Sequence, residues 1–102
     1  MKKKLSVIIP ARNEERSILK VLESLKKMVR TPHEVIVVND RSSNSTELIV
    51  KKYAKENSNV ILTYTKEVFG FSNAVKEGIK KSSTDAVVVV MADLCDDPKT
   101  ID

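Results

Sequence analysis

Apolar, β-branched runs alternate with amphipathic stretches along the whole chain, and this alternation constrains the fold more than any other feature. Leu5–Ile9, ended by Pro10, reads as a strand. Glu14 to Met28 follows as a helix, with Ile18, Leu22, Leu25 and Val29 on one stripe, and Thr31-Pro32 breaks it. Glu34–Val38 is a second strand, and Asn39 to Ser45 a polar turn. Thr46–Glu56 is a second helix with Ile49, Val50 and Tyr53 inward, and Val60–Tyr64 a third strand. Gly70–Lys81 is a third helix with Val75 and Ile79 on one face, and Ala86–Met91 a fourth strand. Asp97 then looks like an N-cap with Pro98 at the first helical position. Three of the strands, Leu5–Ile9, Val35–Val38 and Val87–Val90, lack apolar/polar alternation, as strands covered on both faces do. The expected fold class is therefore α/β: βαβ units forming a mainly parallel sheet with helices on both faces, a three-layer α/β/α arrangement.

A length of 102 residues suits one domain. With only 2 Gly and 3 Pro, long disordered linkers are not expected. The formal net charge of +4 owes much to Lys2, Lys3 and Lys4. They read either as a solvated terminus or as a weak attraction to anionic membrane surfaces and phosphate-bearing ligands. No apolar stretch is long enough to span a bilayer, and Leu5–Ile9 is too short for the core of a signal peptide, so a cytoplasmic location is expected. The single cysteine, Cys95, has no internal disulfide partner, in keeping with a reducing compartment.

In open α/β sheets ligands bind beyond the carboxyl ends of the strands. Three of the four predicted strands end in carboxylates accompanied by amides or arginine: Pro10-Ala-Arg-Asn-Glu-Glu15, Asn39-Asp40-Arg41 and Met91-Ala-Asp-Leu-Cys-Asp-Asp97. Such an edge can hold a polar, phosphate-bearing ligand. There is no G-x-G-x-x-G and no G-x-x-x-x-G-K, which removes the dinucleotide-fingerprint and P-loop readings. A divalent cation, Mg²⁺ or Mn²⁺, is then the simplest counter-charge for phosphate, and Asp93, directly after the fourth strand, is its candidate ligand. Each residue has a plainer alternative. Asp97 reads as a helix cap and Asp96 as a solvated turn acid or a supporting group. Glu14 and Glu15 can favour the positive end of the first helix, Asn13 can cap it, and Asp40 can shape an Asx-turn. His33 is expected in a loop on the far edge with no zinc role, and Cys95 has no base beside it.

The segments LSVIIPARNEE, EVIVVNDRSSNST, GFSNAVKEGIKKS and VVVVMADLCDDP resemble, in order and spacing, family 2 glycosyltransferases of the Rossmann-like GT-A fold. The dolichyl- or polyprenyl-phosphate hexose synthases are the most similar branch. The resemblance implies that residues 1–102 are the nucleotide-sugar-binding portion of such a domain, truncated at its C-terminus. It implies a UDP- or GDP-sugar donor, a polyprenyl-phosphate acceptor at the cytoplasmic membrane face, a divalent cation and no nucleic-acid partner. It also implies a missing C-terminal half or an oligomeric partner. Donor-binding positions carry over to Pro10, Ala11, Asn13 and Glu14; to Asn39 and Asp40; to the helix from Gly70 through Lys76; and to Ala92 and Asp93, with Asp93 as the metal ligand. Two departures stand out. Met91 occupies the place where the family often has an acid, and no residue here matches the family's general base. A non-catalytic nucleotide-sugar-binding module is the alternative. A phosphoacceptor receiver domain is disfavoured by the PARNEE block and by the lack of a lysine after a fifth strand.

Overall fold

The computed structural model describes residues 3–42, 45–66 and 70–92. Their elements run β1 (Leu5–Ala11), α1 (Ile18–Met28), β2 (His33–Asn39), α2 (Thr46–Glu56), β3 (Val60–Tyr64), α3 (Phe71–Lys81) and β4 (Val87–Val89). The strands form one sheet in the order β3-β2-β1-β4, with every neighbouring pair parallel. The chain first grows the sheet outward from β1 to β3, then returns to the other side of β1. A right-handed crossover made in the reverse direction puts its helix on the opposite face. Accordingly α1 and α2 cover one face, where Ile18, Val21, Leu22, Leu25 and Val50 pack on Val7, Ile9, Val35 and Val37. On the other face Ala74 of α3 packs on Ile8, Ile36 and Val38. Odd and even positions of β1 and β2 thus serve different cores, which is why those strands read as unbroken apolar runs.

Several boundaries differ from the sequence reading, each for a physical reason. β1 runs through Pro10 to Ala11. The even positions of β1 bond toward β4, as in Ser6 N–H to Ala86 O at 2.8 Å and Val90 N–H to Ile8 O at 2.9 Å, whereas Ala11 O accepts Asp40 N–H at 2.8 Å. The missing N–H of Pro10 therefore points past Val89, the last paired residue of β4, and the proline interrupts no bond to β2. His33 opens β2 instead of lying in a loop, its Nδ1 2.9 Å from Thr31 O. The first helix begins at Ile18, not Glu14, with Ser17 as N-cap; Asn13 does not cap it but sits in the left-handed region at φ 56°.

β4 is a further correction. It spans Val87–Val89 and lies at the edge of the described sheet, with these valines 39–40% exposed, so among the described residues nothing pairs with its outer side or covers it on both faces. On α3, Ile79 is half exposed and the buried face is Ala74, Glu77 and Gly78. A Cβ on Gly78 would lie 2.5 Å from Ile8 Cγ2 and 3.2 Å from Val38 Cγ2, so glycine is what lets α3 approach the sheet. Among the described residues no helix is long and apolar enough to cross a membrane.

Candidate functional site

Strand order reverses between β1 and β4, and a cleft of about 260 Å³ opens there at the carboxyl ends of the strands. Its walls come from the end of β1 and the following loop (Pro10, Ala11, Arg12, Glu14), the end of β2 (Asp40), the start of α3 (Gly70, Phe71) and the exit of β4 (Met91, Ala92). Elements far apart in sequence converge because parallel strands all point their carboxyl ends the same way.

Asp40 is the best-anchored group in the cleft. It is 5% exposed and extends the β2 ladder by one bond. Its carboxylate accepts the Thr65 hydroxyl at 2.9 Å and the Gly70 N–H at 3.2 and 3.3 Å, and Arg41 Nε lies 3.7 Å away. These partners satisfy the cost of burying a charge and hold the side chain in one place. Gly70 takes φ 117°, while a Cβ there would meet nothing within 4 Å. The glycine is thus required by the backbone turn into α3 and not by crowding. The Asx-type turn expected of Asp40 belongs instead to Asn39, whose Oδ1 accepts the Ser42 N–H at 3.0 Å.

The loop after β1 is tied to the start of α2. Asn13 N–H donates to Ser42 Oγ at 3.0 Å and Glu14 N–H to Thr46 Oγ1 at 2.9 Å, Thr46 being fully buried. In return Glu15 Oε1 accepts the Ser45 N–H at 3.0 Å, an acid placed at the positive end of α2. Beside this loop, Glu47 accepts the Tyr64 hydroxyl at 2.9 Å and pairs with Lys51 at 2.9 Å, with Asn39 Nδ2 at 3.4 Å. The Lys51 hydrogen bond, then that from Tyr64, holds the Glu47 carboxyl below its usual range. Burial, then the bond to Glu47, pushes the Tyr64 hydroxyl up.

Of the sequence-predicted site residues, Pro10, Ala11, Glu14, Asp40 and Ala92 come together around the cleft. Asn13 and Asn39 stand behind it as loop supports. Lys76 is exposed on α3 and does not line the cleft. Asp93, Cys95, Asp96, Asp97 and Pro98 lie outside the described residues. The residue that sequence reasoning passed over is Arg12; a cation between two candidate positions, in a block already singled out, was the available signal. As for a cation, no group of three or more His, Cys, Asp or Glu among the described residues could hold a metal. Met91 brings a soft thioether to the cleft wall, a poor partner for a hard cation. The described part of the cleft does not by itself fit Mg²⁺ or Mn²⁺.

A parallel three-layer α/β protein with a cleft at its topological switch point belongs to the large class that binds ligands at that place. The family is narrower: residues 6–102 match glycosyl transferase family 2, and the chain belongs to it. Its four-stranded sheet and flanking helices are the N-terminal part of the Rossmann-like GT-A architecture. The chain is 32% identical over 103 residues to undecaprenyl-phosphate 4-deoxy-4-formamido-L-arabinose transferase of Yersinia enterocolitica, covering 97% of this chain and 32% of that protein. It therefore spans about a third of that relative's length. The structure of S. aureus TarS 1-349 superposes with a TM-score of 0.78 at 31% identity, over 88% of this chain and 27% of that 1-349 chain, which has also been solved with UDP-GlcNAc. Glucosyl-3-phosphoglycerate synthase from Mycobacterium tuberculosis, in complex with Mn²⁺, UDP and phosphoglyceric acid, superposes with a TM-score of 0.74 at 25% identity, over 89% of this chain and 33% of that one.

Proposed function

We propose that residues 1–102 form the nucleotide-sugar-binding portion of a GT-A domain. The enzyme carrying it transfers a hexose from a UDP- or GDP-sugar to a polyprenyl phosphate at the cytoplasmic face of a membrane. The observation that carries this reading is the convergence of three strand ends and the start of α3 on one cleft, with Asp40 locked at its floor. The names of the relatives support the finer parts: one is an undecaprenyl-phosphate transferase, another has been solved with UDP-GlcNAc. In this reading Pro10, Ala11 and Glu14 form the wall against the nucleoside, and Asp40 accepts hydrogen bonds from the base. Asn13 and Asn39 hold the two loops in register, and Lys76 stands on the flank of α3.

A divalent cation, when bound, supplies charge for the leaving nucleoside diphosphate. Its proposed ligand is Asp93, which follows the cleft-lining Ala92 in the chain. Calorimetric titration with UDP, GDP and their sugars, with and without Mn²⁺, tests the reading. Binding of one nucleotide series is expected; no binding of either would overturn it. Replacing Asp93 with Asn is expected to weaken only the Mn²⁺-dependent part. Met91 at the cleft wall favours one alternative, a nucleotide-sugar-binding module without transfer activity. Saturable binding with neither transfer nor donor hydrolysis by the protein would select it.

A further inference from the structure

A nucleoside diphosphate carries two or more negative charges, and the described cleft walls already contain two carboxylates, Glu14 and Asp40. Bringing like charges together in a partly desolvated cleft is unfavourable unless a cation stands between them. The described residues form no metal cluster, and Met91 occupies the wall where sequence similarity would place an acid. Arg41 is not free for the task, because its Nε lies 3.7 Å from Asp40. Arg12 is the one cationic residue among the described lining residues. It is exposed, and no hydrogen bond or ion pair to another described residue engages it. Its backbone is nevertheless held on both sides. Ala11, before it, ends β1 and accepts the Asp40 N–H at 2.8 Å; Asn13, after it, takes φ 56° and donates to Ser42 Oγ at 3.0 Å. A fixed backbone carrying, at a cleft wall, a guanidinium that no described residue engages is suited to bidentate recognition of phosphate oxygens.

We propose that Arg12 binds the diphosphate of the donor and supplies the counter-charge that no other described lining residue of the cleft offers. The inference rests on the donor-site reading above and deepens it. It makes nucleotide affinity depend on Arg12 and on ionic strength, with a part that persists without divalent cation.

The test measures UDP and GDP by calorimetry, and uridine and guanosine by ligand-observed NMR, on the unaltered protein, Arg12→Ala and Arg12→Lys, each in EDTA and in Mn²⁺. Thermal denaturation checks that the variants fold. The expected result is diphosphate binding that survives in EDTA and falls roughly ten- to a hundredfold in Arg12→Ala, as for loss of a charge-assisted hydrogen bond. Nucleoside binding stays unchanged, the salt dependence becomes shallower, and Arg12→Lys recovers part of the loss. Diphosphate binding that disappears in EDTA, or that is indifferent to Arg12→Ala, would overturn the assignment while leaving the donor site standing. An equal loss for nucleoside and diphosphate would also overturn it, placing Arg12 against the base. Failure of the unaltered protein to bind any of the four ligands would remove the donor site and this inference together.

Discussion

Strand β2 carries a buried carboxylate at each end, Glu34 at its start and Asp40 just past its finish, 3% and 5% exposed. Both even positions belong to the α3 side of the sheet, and between them Ile36 and Val38 pack under α3. Each acid receives a backbone N–H from one end of that helix segment: Asp40 from Gly70 before α3, Glu34 from Ser83 after it, the latter at 2.7 Å. The helix is thus clamped at both ends by one strand. Yet the two sites differ in what surrounds them. Glu34 is enclosed by hydroxyls, with Ser6 Oγ at 2.7 Å and Ser83 Oγ at 2.8 Å, and Ser6 is in turn 2.7 Å from Ser82 Oγ and 2.6 Å from Thr84 Oγ1. Asp40 is held by Thr65, Gly70 and Arg41 and faces a cleft. Identical chemistry becomes a structural lock at the amino ends of the strands and a candidate ligand at their carboxyl ends. The reversal of strand order opens space at the latter.

The comparison breaks if the two clamps are not separable. The largest expected effect is that of Glu34→Ala, which strips charge-assisted bonds from a buried hydroxyl network and should cost about 3 kcal/mol in urea denaturation. Nucleotide affinity per folded molecule should be unchanged; a parallel loss of affinity would show that the lock and the site act as one. Gly78→Ala presses a methyl into Ile8, a stiff β-branched side chain with no exposure, and should cost about 2 kcal/mol even after the gain in helix propensity. A neutral result in the same denaturation would show that α3 is less tightly seated between its clamps than the distances indicate. Asp40→Asn keeps an acceptor for Thr65 and Gly70 and should lower stability by only about 1 kcal/mol, while nucleotide titration shows a loss of tenfold or more. The reverse pattern, large in stability and small in affinity, would make Asp40 a second lock.

The smallest effect is in acid. Burial opposes ionisation of Glu34, but the Ser83 N–H, the Ser6 and Ser83 hydroxyls and the charge of Lys3 together hold its carboxyl below the ordinary 4.5. A carboxyl lowered on folding contributes stability that is complete above its unfolded value and is lost as pH falls through its folded value. Urea midpoints of the unaltered protein should therefore drop below about pH 4.5 more steeply than those of Glu34→Gln. Equal slopes would show that other carboxylates govern acid sensitivity.

Much of the fold was legible beforehand. The unbroken apolar runs of β1 and β2 announced strands covered on both faces, and the helix stripes of α1 and α2 gave their buried sides. The valines of β4 misled, because an apolar run shows that a strand can be buried without showing what covers it. α3 misled as well: Val75 and Ile79 suggested its inner face, but a close approach to β1 and β2 selects the smallest residues, Ala74 and Gly78. At the cleft, Pro10, Ala11, Glu14 and Asp40 were identifiable as residues following strands. Arg12 was not separated from its neighbours, since linear spacing does not say which side chains of a loop face inward.

The order and kind of the elements, and hence a parallel α/β sheet with polar strand ends, came from the sequence alone, because periodicity and turn chemistry are local properties. Membership in glycosyl transferase family 2 was likewise readable in four short blocks. Only the tertiary structure decided that β4 stands at the edge of the described sheet and that Asn39, not Asp40, makes the turn. It alone showed that Glu34 and Asp40 grip opposite ends of one helix, and that Arg12 is the cation left at the cleft. Those outcomes depend on which distant segments meet, and hydrogen-bond partners 28 to 49 residues apart, such as Ser6 and Ser83 around Glu34, cannot be read from spacing along a chain.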